Sequence, residues 1–201
     1  TLPGVVYIAH LLVPDRSPVT SGDGAIDKGA ENLMDAISTG TMNGLQLLLN
    51  IIAMIIVIVA LVYLVNATLG MFPDVYGEAI TLERILGVLM APLTMMMGIP
   101  WNEAFITGQL MGTKVVLTEF VAYVRFGQIP VEELSERTRI IMTYALCGFA
   151  NFVSLGIMIT GLVTMVPERK VEIMDMGLKS IIAGTIATCT SATLVGIIIT
   201  L

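Results

Sequence analysis

The stretch that most constrains the fold is Gly112-Thr-Lys-Val-Val-Leu-Thr-Glu-Phe-Val-Ala-Tyr123, which places Lys114 and Glu119 among apolar residues. An ionised side chain near the centre of a bilayer costs roughly 3 kcal/mol on insertion scales, so such a residue usually faces a partner or a watery cavity. Lys114 and Glu119 stand five residues apart and do not share a helical face. If the two side chains meet as a structural ion pair, the helix that carries them must be broken between them.

A second stretch, Gly148-Phe-Ala-Asn-Phe-Val-Ser-Leu-Gly156, places Asn151 and Ser154 midway along another apolar segment. Phe149 lies about 200° away from Asn151 on an ideal helix with about 3.6 residues per turn. Both side chains can line one site only if the helix unwinds, and the two glycines bracket a place where it can do so. We therefore expect the two stretches to build one side of a polar site.

The composition predicts an all-α integral membrane protein. The 201 residues are 56% hydrophobic and 13% charged, with a mean hydropathy of +0.90, whereas a soluble domain carries about 25% charged residues. Three of the four uncharged runs exceed the roughly 20 residues that span a bilayer core. They lack the alternating pattern of barrel strands, so they are expected to be helices. The four runs are 36–73, 85–102, 140–167 and 180–201.

Charge, cysteine and histidine usage exclude several classes of partner. The net charge is −6 and no Lys/Arg cluster occurs, which argues against nucleic acid and anionic lipid as main partners. Cys147 and Cys189 lie inside apolar runs and are expected to be two buried thiols. His10 is the only histidine, so a histidine-cluster metal site is excluded within this chain.

Residues 1–13 are typical of the tail of an earlier helix, which suggests the C-terminal part of a longer protein.

The apolar run Ile85–Ile99 is the least regular of the predicted elements. Fifteen residues rise about 22 Å along a helix, against a bilayer core of about 30 Å, and Pro92 lies near the centre. These facts favour a re-entrant hairpin with its tip near Ala91-Pro92, and a Pro-kinked oblique helix is the alternative. The complete prediction is an interfacial helix (25–38), a transmembrane helix (42–66), the hairpin (82–100), interrupted transmembrane helices (102–126 and 137–165) and a final transmembrane helix (178–201).

Small residues recur at intervals of four in the last predicted helix. Gly184, Thr188, Ala192 and Gly196 form this stripe. Such stripes allow close helix packing inside membranes. We expect a structural role for it.

The sequence resembles the concentrative nucleoside transporter family over nearly its whole length, 1–201. The most specific matches are the 112–123 stretch, Ser135-Glu-Arg-Thr-Arg-Ile-Ile141 and Cys147-Gly-Phe-Ala-Asn151. Supporting matches are Leu86-Gly-Val-Leu-Met-Ala-Pro92 and Ile99-Pro-Trp101. The resemblance implies the second half of a transporter built from inverted, pseudo-symmetric repeats, in which a transport domain moves across a trimeric scaffold.

The same resemblance implies a set of functional residues. Glu119 would hold ribose hydroxyls together with Asn151 and Ser154, and Phe149 would pack beside them. It implies no catalytic residue, no metal ligand in this chain and no covalently bound cofactor. The ligands of the coupling ion, sodium or a proton, would lie in an N-terminal half that this sequence does not contain. The implied partners are a nucleoside, membrane lipid and two further copies in a homotrimer, with no nucleic acid, in a plasma membrane such as the bacterial inner membrane.

Two positions depart from the family pattern. Thr118 stands where an asparagine usually precedes the glutamate, and Val153 stands where a serine is common. The leading hypothesis is cation-coupled uptake of nucleosides by a multi-pass membrane protein. The alternatives are a passive channel, another solute symporter, or an intramembrane enzyme with Glu119 as general base.

Overall fold

The computed structural model describes residues 2–14, 32–75, 77 and 79–200, and the regular elements within them are helices. Single 3-10 turns occur at Val131–Glu133 and Pro167–Arg169. The α-helices of this described part are α1 (Leu2–Leu12), α2 (Leu33–Leu69), α3 (Leu82–Met96), α4 (Trp101–Val116), α5 (Glu119–Gln128), α6 (Glu136–Leu146), α7 (Phe152–Met165) and α8 (Lys170–Thr200).

Helix α2 is one continuous helix of 37 residues. The prediction separated an interfacial helix (25–38) from a transmembrane helix (42–66), and that separation is wrong for the described residues, while 25–31 lie outside them. The polar residues at the expected boundary do not end the helix, and the Thr41 hydroxyl donates to the Ile37 carbonyl at 2.7 Å, one turn back. The helix rises about 55 Å, which exceeds the thickness of a bilayer core.

The predicted hairpin over 82–100 is wrong, because helix α3 continues through Pro92. A proline removes one backbone hydrogen bond from a helix, and packing against neighbouring helices can compensate. That packing is unusually close here: a Cβ on Gly108 of α4 would lie 2.4 Å from the Gly87 carbonyl oxygen and 2.9 Å from the Ala91 nitrogen. The structure contains a continuous helix at this place, in agreement with the helical part of the alternative interpretation, a Pro-kinked oblique helix.

The hairpin lies instead at 101–128, where an interrupted transmembrane helix was predicted over 102–126. The chain does break there, between α4 and α5, but it then reverses. Arg125 of α5 donates to the Thr113 hydroxyl of α4 at 3.0 Å, although the two residues are twelve positions apart. A continuous helix would separate them by about 18 Å. Arg125 also pairs with the buried Glu83 carboxylate of α3 at 3.4 Å, which ties the hairpin to its neighbour.

Helices α6 and α7 keep one direction across their break, as an interrupted helix over 137–165 requires. The evidence is their register against α8. Gly196, Thr188 and Gly177 of α8 face positions 141, 148 and 155 respectively. The partner number rises steadily as the number along α8 falls, so both helices run antiparallel to α8.

The stripe of small residues on α8 has the expected structural role. A Cβ on Gly184 would lie 3.0 Å from the Ala150 Cβ, and Ala192 is completely buried. Of the two cysteines only Cys189 is buried, so the prediction of a second buried thiol at Cys147 is wrong. The main core lies where α4, α5, α6 and α8 meet. Its fully buried members include Met111, Ile141, Met142, Leu146 and Ala192.

Candidate functional site

The break between α6 and α7 is shaped by one glycine and one asparagine. A Cβ on Gly148 would lie 2.1 Å from the Thr188 Cγ2 of α8, so a side chain at this position is incompatible with the close approach of the two segments. Asn151 then begins α7 as its N-cap, and its Oδ1 accepts from the Ser154 backbone N–H at 2.7 Å. The helix is therefore unwound from Cys147 to Asn151, as the position of Phe149 relative to Asn151 required.

The tip of the α4–α5 hairpin is built from residues that are not glycines. Leu117 turns the chain, and Thr118 caps α5 by accepting from the Val121 N–H at 3.3 Å. Glu119 is the first residue of α5. A carboxylate at this position is favoured by the partial positive charge of the helix N-terminus.

The hairpin tip and the helix break meet at Glu119 and Asn151. The Asn151 Nδ2 donates to the Glu119 Oε2 at 2.7 Å, the short distance expected of a hydrogen bond to an ionised acceptor. Asn151 is completely buried, whereas Glu119 is half-buried. The two predicted residues are thus in direct contact and do not face each other across an open cleft. The Asn151 Nδ2 orients the Glu119 carboxylate, and the Asn151 Oδ1 caps the start of α7.

Lys114 does not bond to Glu119. Its ammonium is fully buried and donates to the Ala145 carbonyl of α6 at 2.9 Å and to the Thr188 hydroxyl of α8 at 3.2 Å. Ala145 is one of the last residues of α6, whose carbonyls lack partners within the helix. The alternative interpretation, a structural pair between Lys114 and Glu119, is therefore wrong.

A cavity of about 630 Å³ lies beside the break. Phe149, Asn151 and Ser154 contribute to its wall together with Thr188. The rest of its lining is mostly apolar and includes Val5, Ile51, Leu155, Met158 and Ile181. Glu119 does not line this cavity and reaches it only through Asn151. Phe149 is 73% exposed, so its ring is available to a ligand at the break.

Sequence reasoning missed Tyr123 and Thr188 as members of this region. The Tyr123 hydroxyl donates to the Thr143 carbonyl at 2.5 Å, near the end of α6. Thr188 was predicted only as a member of the packing stripe on the last helix. Its hydroxyl also accepts a hydrogen bond from the buried ammonium of Lys114. Tyr123 lies in the 112–123 stretch together with Lys114 and Glu119, and this closeness in sequence was the available signal.

Residues 1–196 match the family described as "Na+ dependent nucleoside transporter C-terminus". The chain belongs to this nucleoside transporter family. It is an integral membrane protein of a transporter family, so the interpretation as an intramembrane enzyme is set aside. Among the described residues, two helical segments are long and apolar enough to cross a membrane, Leu33–Leu69 and Pro167–Ile199.

Curated relatives from bacteria and animals agree with this assignment. The chain is 40% identical to the "Uncharacterized transporter YutK" of Bacillus subtilis, over 98% of this chain and 50% of the relative. It is 39% identical to the "Nucleoside permease NupC" of Helicobacter pylori, over 98% and 48%. It is 35% identical to the human "Solute carrier family 28 member 3", over 83% and 26%. The chain spans about half the length of the bacterial relatives it matches.

Solved structures show the same all-α membrane fold. A variant of CNTnw in its intermediate 2 state is 36% identical, with a TM-score of 0.86 over 98% of this chain and 49% of that chain. CNTnw in an inward-facing substrate-bound state is also 36% identical, with a TM-score of 0.77 over 96% and 47%. The arrangement of helices in this chain is therefore similar to one half of a transporter that has been solved in several states.

Proposed function

We propose that this chain forms half of a cation-coupled importer of nucleosides, with the ribose held by Glu119, Asn151 and Ser154 and with Phe149 packed beside it. The importer would act in the plasma membrane, the inner membrane in a bacterium, as a multi-pass homotrimer. Sodium is the favoured coupling ion, because the matching family is described as Na+ dependent. A proton is the alternative, and in either case the ion's ligands would lie outside this chain.

One observation carries the proposal: the hydrogen bond of 2.7 Å between Asn151 and Glu119 joins two separate interruptions of helical structure. Interrupted helices at membrane depth are tolerated where they are covered by protein or line a site. In transporters, such breaks hold the substrate near the midplane. The carboxylate and the amide are expensive to keep in this setting, and recognition of a polar solute gives a reason for both.

The chemistry of these groups suits a ribose. A carboxylate accepts from two vicinal hydroxyls, an amide donates to a hydroxyl, and a serine hydroxyl can do either. The hydrogen bond from Asn151 occupies only the Oε2 oxygen of Glu119. We infer that the sugar bonds to the Oε1 oxygen and to the Ser154 hydroxyl. In the same step the sugar would replace the Asn151–Glu119 bond, so that the buried amide gains a hydroxyl partner.

Phe149 would supply an apolar surface for the same ligand. The ring lies on the break itself and is largely exposed. An aromatic face can pack against a sugar or a base without requiring a particular hydrogen-bond pattern. The base-specific contacts would then come from the part of the transporter that this chain does not include.

The proposal is tested by the uptake of labelled uridine into liposomes that contain the full-length protein. Uptake is measured with an inward sodium gradient, with an inward proton gradient and with neither. Accumulation above the external concentration, driven by one gradient, is the expected result. Equilibration without accumulation would favour a passive channel, and failure to transport any nucleoside would favour another solute.

The homotrimer is tested separately on the purified full-length protein. Multi-angle light scattering in detergent, corrected for the bound detergent, gives the protein mass of the complex. Three times the mass of the full-length chain is the expected value. A monomer or a dimer would contradict this part of the proposal without affecting the assignment of the substrate.

A further inference from the structure

Lys114 is the largest fully buried side chain among the described residues, and the proposed recognition of ribose does not use it. Its ammonium bonds to one carbonyl oxygen, that of Ala145, and to one hydroxyl oxygen, that of Thr188. The Thr188 hydroxyl in turn donates to the Thr185 carbonyl at 3.0 Å, so its lone pairs remain directed to the ammonium. Carbonyl and hydroxyl oxygens are the ligands that a bound monovalent cation also takes.

The ammonium lies at the C-terminal end of helix α6. Helix α6 ends at Leu146, inside a transporter that crosses a membrane, and its last carbonyls need partners that water supplies in a soluble protein. The C-terminus of a helix carries about half a negative charge, which a cation neutralises. Lys114 therefore gives the end of α6 both a hydrogen bond and a charge.

The same ammonium lies close to the proposed site. A Cβ on Gly148 would lie 3.4 Å from the Lys114 Nζ, so the ammonium contacts the unwound segment that leads to Asn151. The ammonium and the Glu119 carboxylate therefore both lie at this break.

We propose that Lys114 is a covalently tethered cation that fixes the end of α6, and through it the positions of Asn151 and Glu119. Lys114 is a positioning residue, because it acts through the helix break and does not touch the sugar. This inference rests on the proposed function. It implies that the α6–α7 break binds no free coupling ion, because the ammonium already occupies that place.

The test compares two substitutions in the full-length transporter. Lys114→Met keeps most of the length of the side chain without the charge, and Lys114→Ala leaves a space of the size of a small amine. Uridine affinity is measured by isothermal titration with and without ethylammonium, and with ethanol as the uncharged molecule of similar size. The exposed Lys170, replaced in Lys170→Met, is the control.

Lys114→Met should weaken uridine binding by roughly 10-fold, which corresponds to about 1.4 kcal/mol, because the end of α6 loses the bond that positions Asn151. Ethylammonium should restore most of the affinity to Lys114→Ala but not to Lys114→Met, whose side chain fills the space. Ethanol should restore neither. Unchanged affinity in Lys114→Met, or equal recovery with ethanol and ethylammonium, would overturn the inference.

Thr188→Val tests the positioning role of Lys114 if neither Lys114 variant folds. Valine keeps the shape of threonine and removes one ligand of the ammonium. Weaker uridine binding, measured well below the melting temperature of the variant, supports a positioning role, and unchanged affinity contradicts it. A wild-type transporter that neither binds nor accumulates uridine would instead contradict the proposed function.

Discussion

Two interruptions meet at the candidate site, and they are built differently. The α4–α5 tip reverses the chain and contains no glycine, whereas the α6–α7 break keeps the direction of the chain and depends on Gly148. Both use a side chain to begin the next helix, Thr118 at the tip and Asn151 at the break. Only Asn151 also bonds across to the other interruption.

The difference shows how one residue can combine a structural and a functional role. Among the residues that the structure describes, Thr118 bonds only within its own helix, so another capping residue should serve as well. Asn151 satisfies α7 and the carboxylate of Glu119 together, so its replacement would affect both. We therefore expect substitutions of Asn151 to affect folding and binding together, whereas at the tip Thr118 affects stability and Glu119 affects binding.

The largest expected effect is that of Glu119→Gln on nucleoside binding. Glutamine preserves the shape of the side chain but removes the charge that strengthens hydrogen bonds to the ribose. Each hydrogen bond to a charged group contributes about 1.5–3 kcal/mol, or roughly 10- to 100-fold in affinity. Isothermal titration of the full-length protein with uridine measures the loss.

The exposed Glu132 provides a matched control, because Glu132→Gln removes an equal charge outside the site. The loss caused by Glu119→Gln should be smaller for a nucleoside that lacks one ribose hydroxyl. Equal and small effects of both substitutions would place the sugar subsite elsewhere.

Gly148→Ala should destabilise the protein by about 1–3 kcal/mol, the range for an added methyl group in a well-packed interior. The new Cβ would clash with the Thr188 Cγ2. The melting temperature of the purified protein measures the effect. Gly161→Ala is the control on α7, because no atom lies within 4 Å of its added Cβ.

A double substitution sharpens this prediction. Thr188→Ser removes the clashing methyl group and keeps the hydroxyl that bonds to Lys114. Gly148→Ala should therefore be better tolerated in the Thr188→Ser background. Additive effects of the two substitutions would show that this contact does not shape the break.

Tyr123→Phe should cost about 1 kcal/mol, the net contribution of one hydrogen bond. The lost bond joins α5 to the Thr143 carbonyl near the end of α6, so it holds the tip against the break. Thermal unfolding of the full-length protein tests the change. The half-exposed Tyr144, changed to Phe, serves as the control, and equal effects at the two positions would contradict the role given to Tyr123.

The smallest effect should be that of Thr118→Asn. Threonine and asparagine are both good N-caps, so the substitution should change stability by less than about 0.5 kcal/mol. Uridine affinity should also stay near its original value. Thr118→Val, which has the shape of threonine without the hydroxyl, should cost about 1 kcal/mol of stability. A large loss of affinity in Thr118→Asn would mean that Thr118 contacts the ligand itself.

The cost of polar groups in a membrane made it predictable from the sequence that Glu119 and Asn151 lie near each other, but not that they bond directly. Glu119 and Asn151 had to find partners, and a break near Gly148 was required for Phe149 and Asn151 to share a site. Three sequence features indicate the position of the break: the glycine at 148, the angle between Phe149 and Asn151 on an ideal helix, and the polar side chain of Asn151. Their roles in substrate binding stay a prediction.

The location of the hairpin was not predictable in the same way. A short apolar run with Pro92 indicated a turn at 82–100, but contacts with α4 keep that segment helical. The true hairpin carries Lys114 and Arg125, whose partners lie on α3, α6 and α8. Such partners are distant in sequence, so the local pattern gave no reason to place a reversal between them. Gly108 and Gly112, four residues apart in α4, were the available signal for close packing on α3.

The contact between α7 and α2 has a consequence for motion. A Cβ on Gly156 would lie 2.3 Å from the Met54 Cε, so a bare stretch of α7 backbone rests on the end of a thioether chain. Methionine has three rotatable side-chain bonds and adapts to irregular neighbours. At this contact, displacement of α7 along α2 would require rotations within one side chain, so the long helix could remain stationary while the neighbouring helix slides past it.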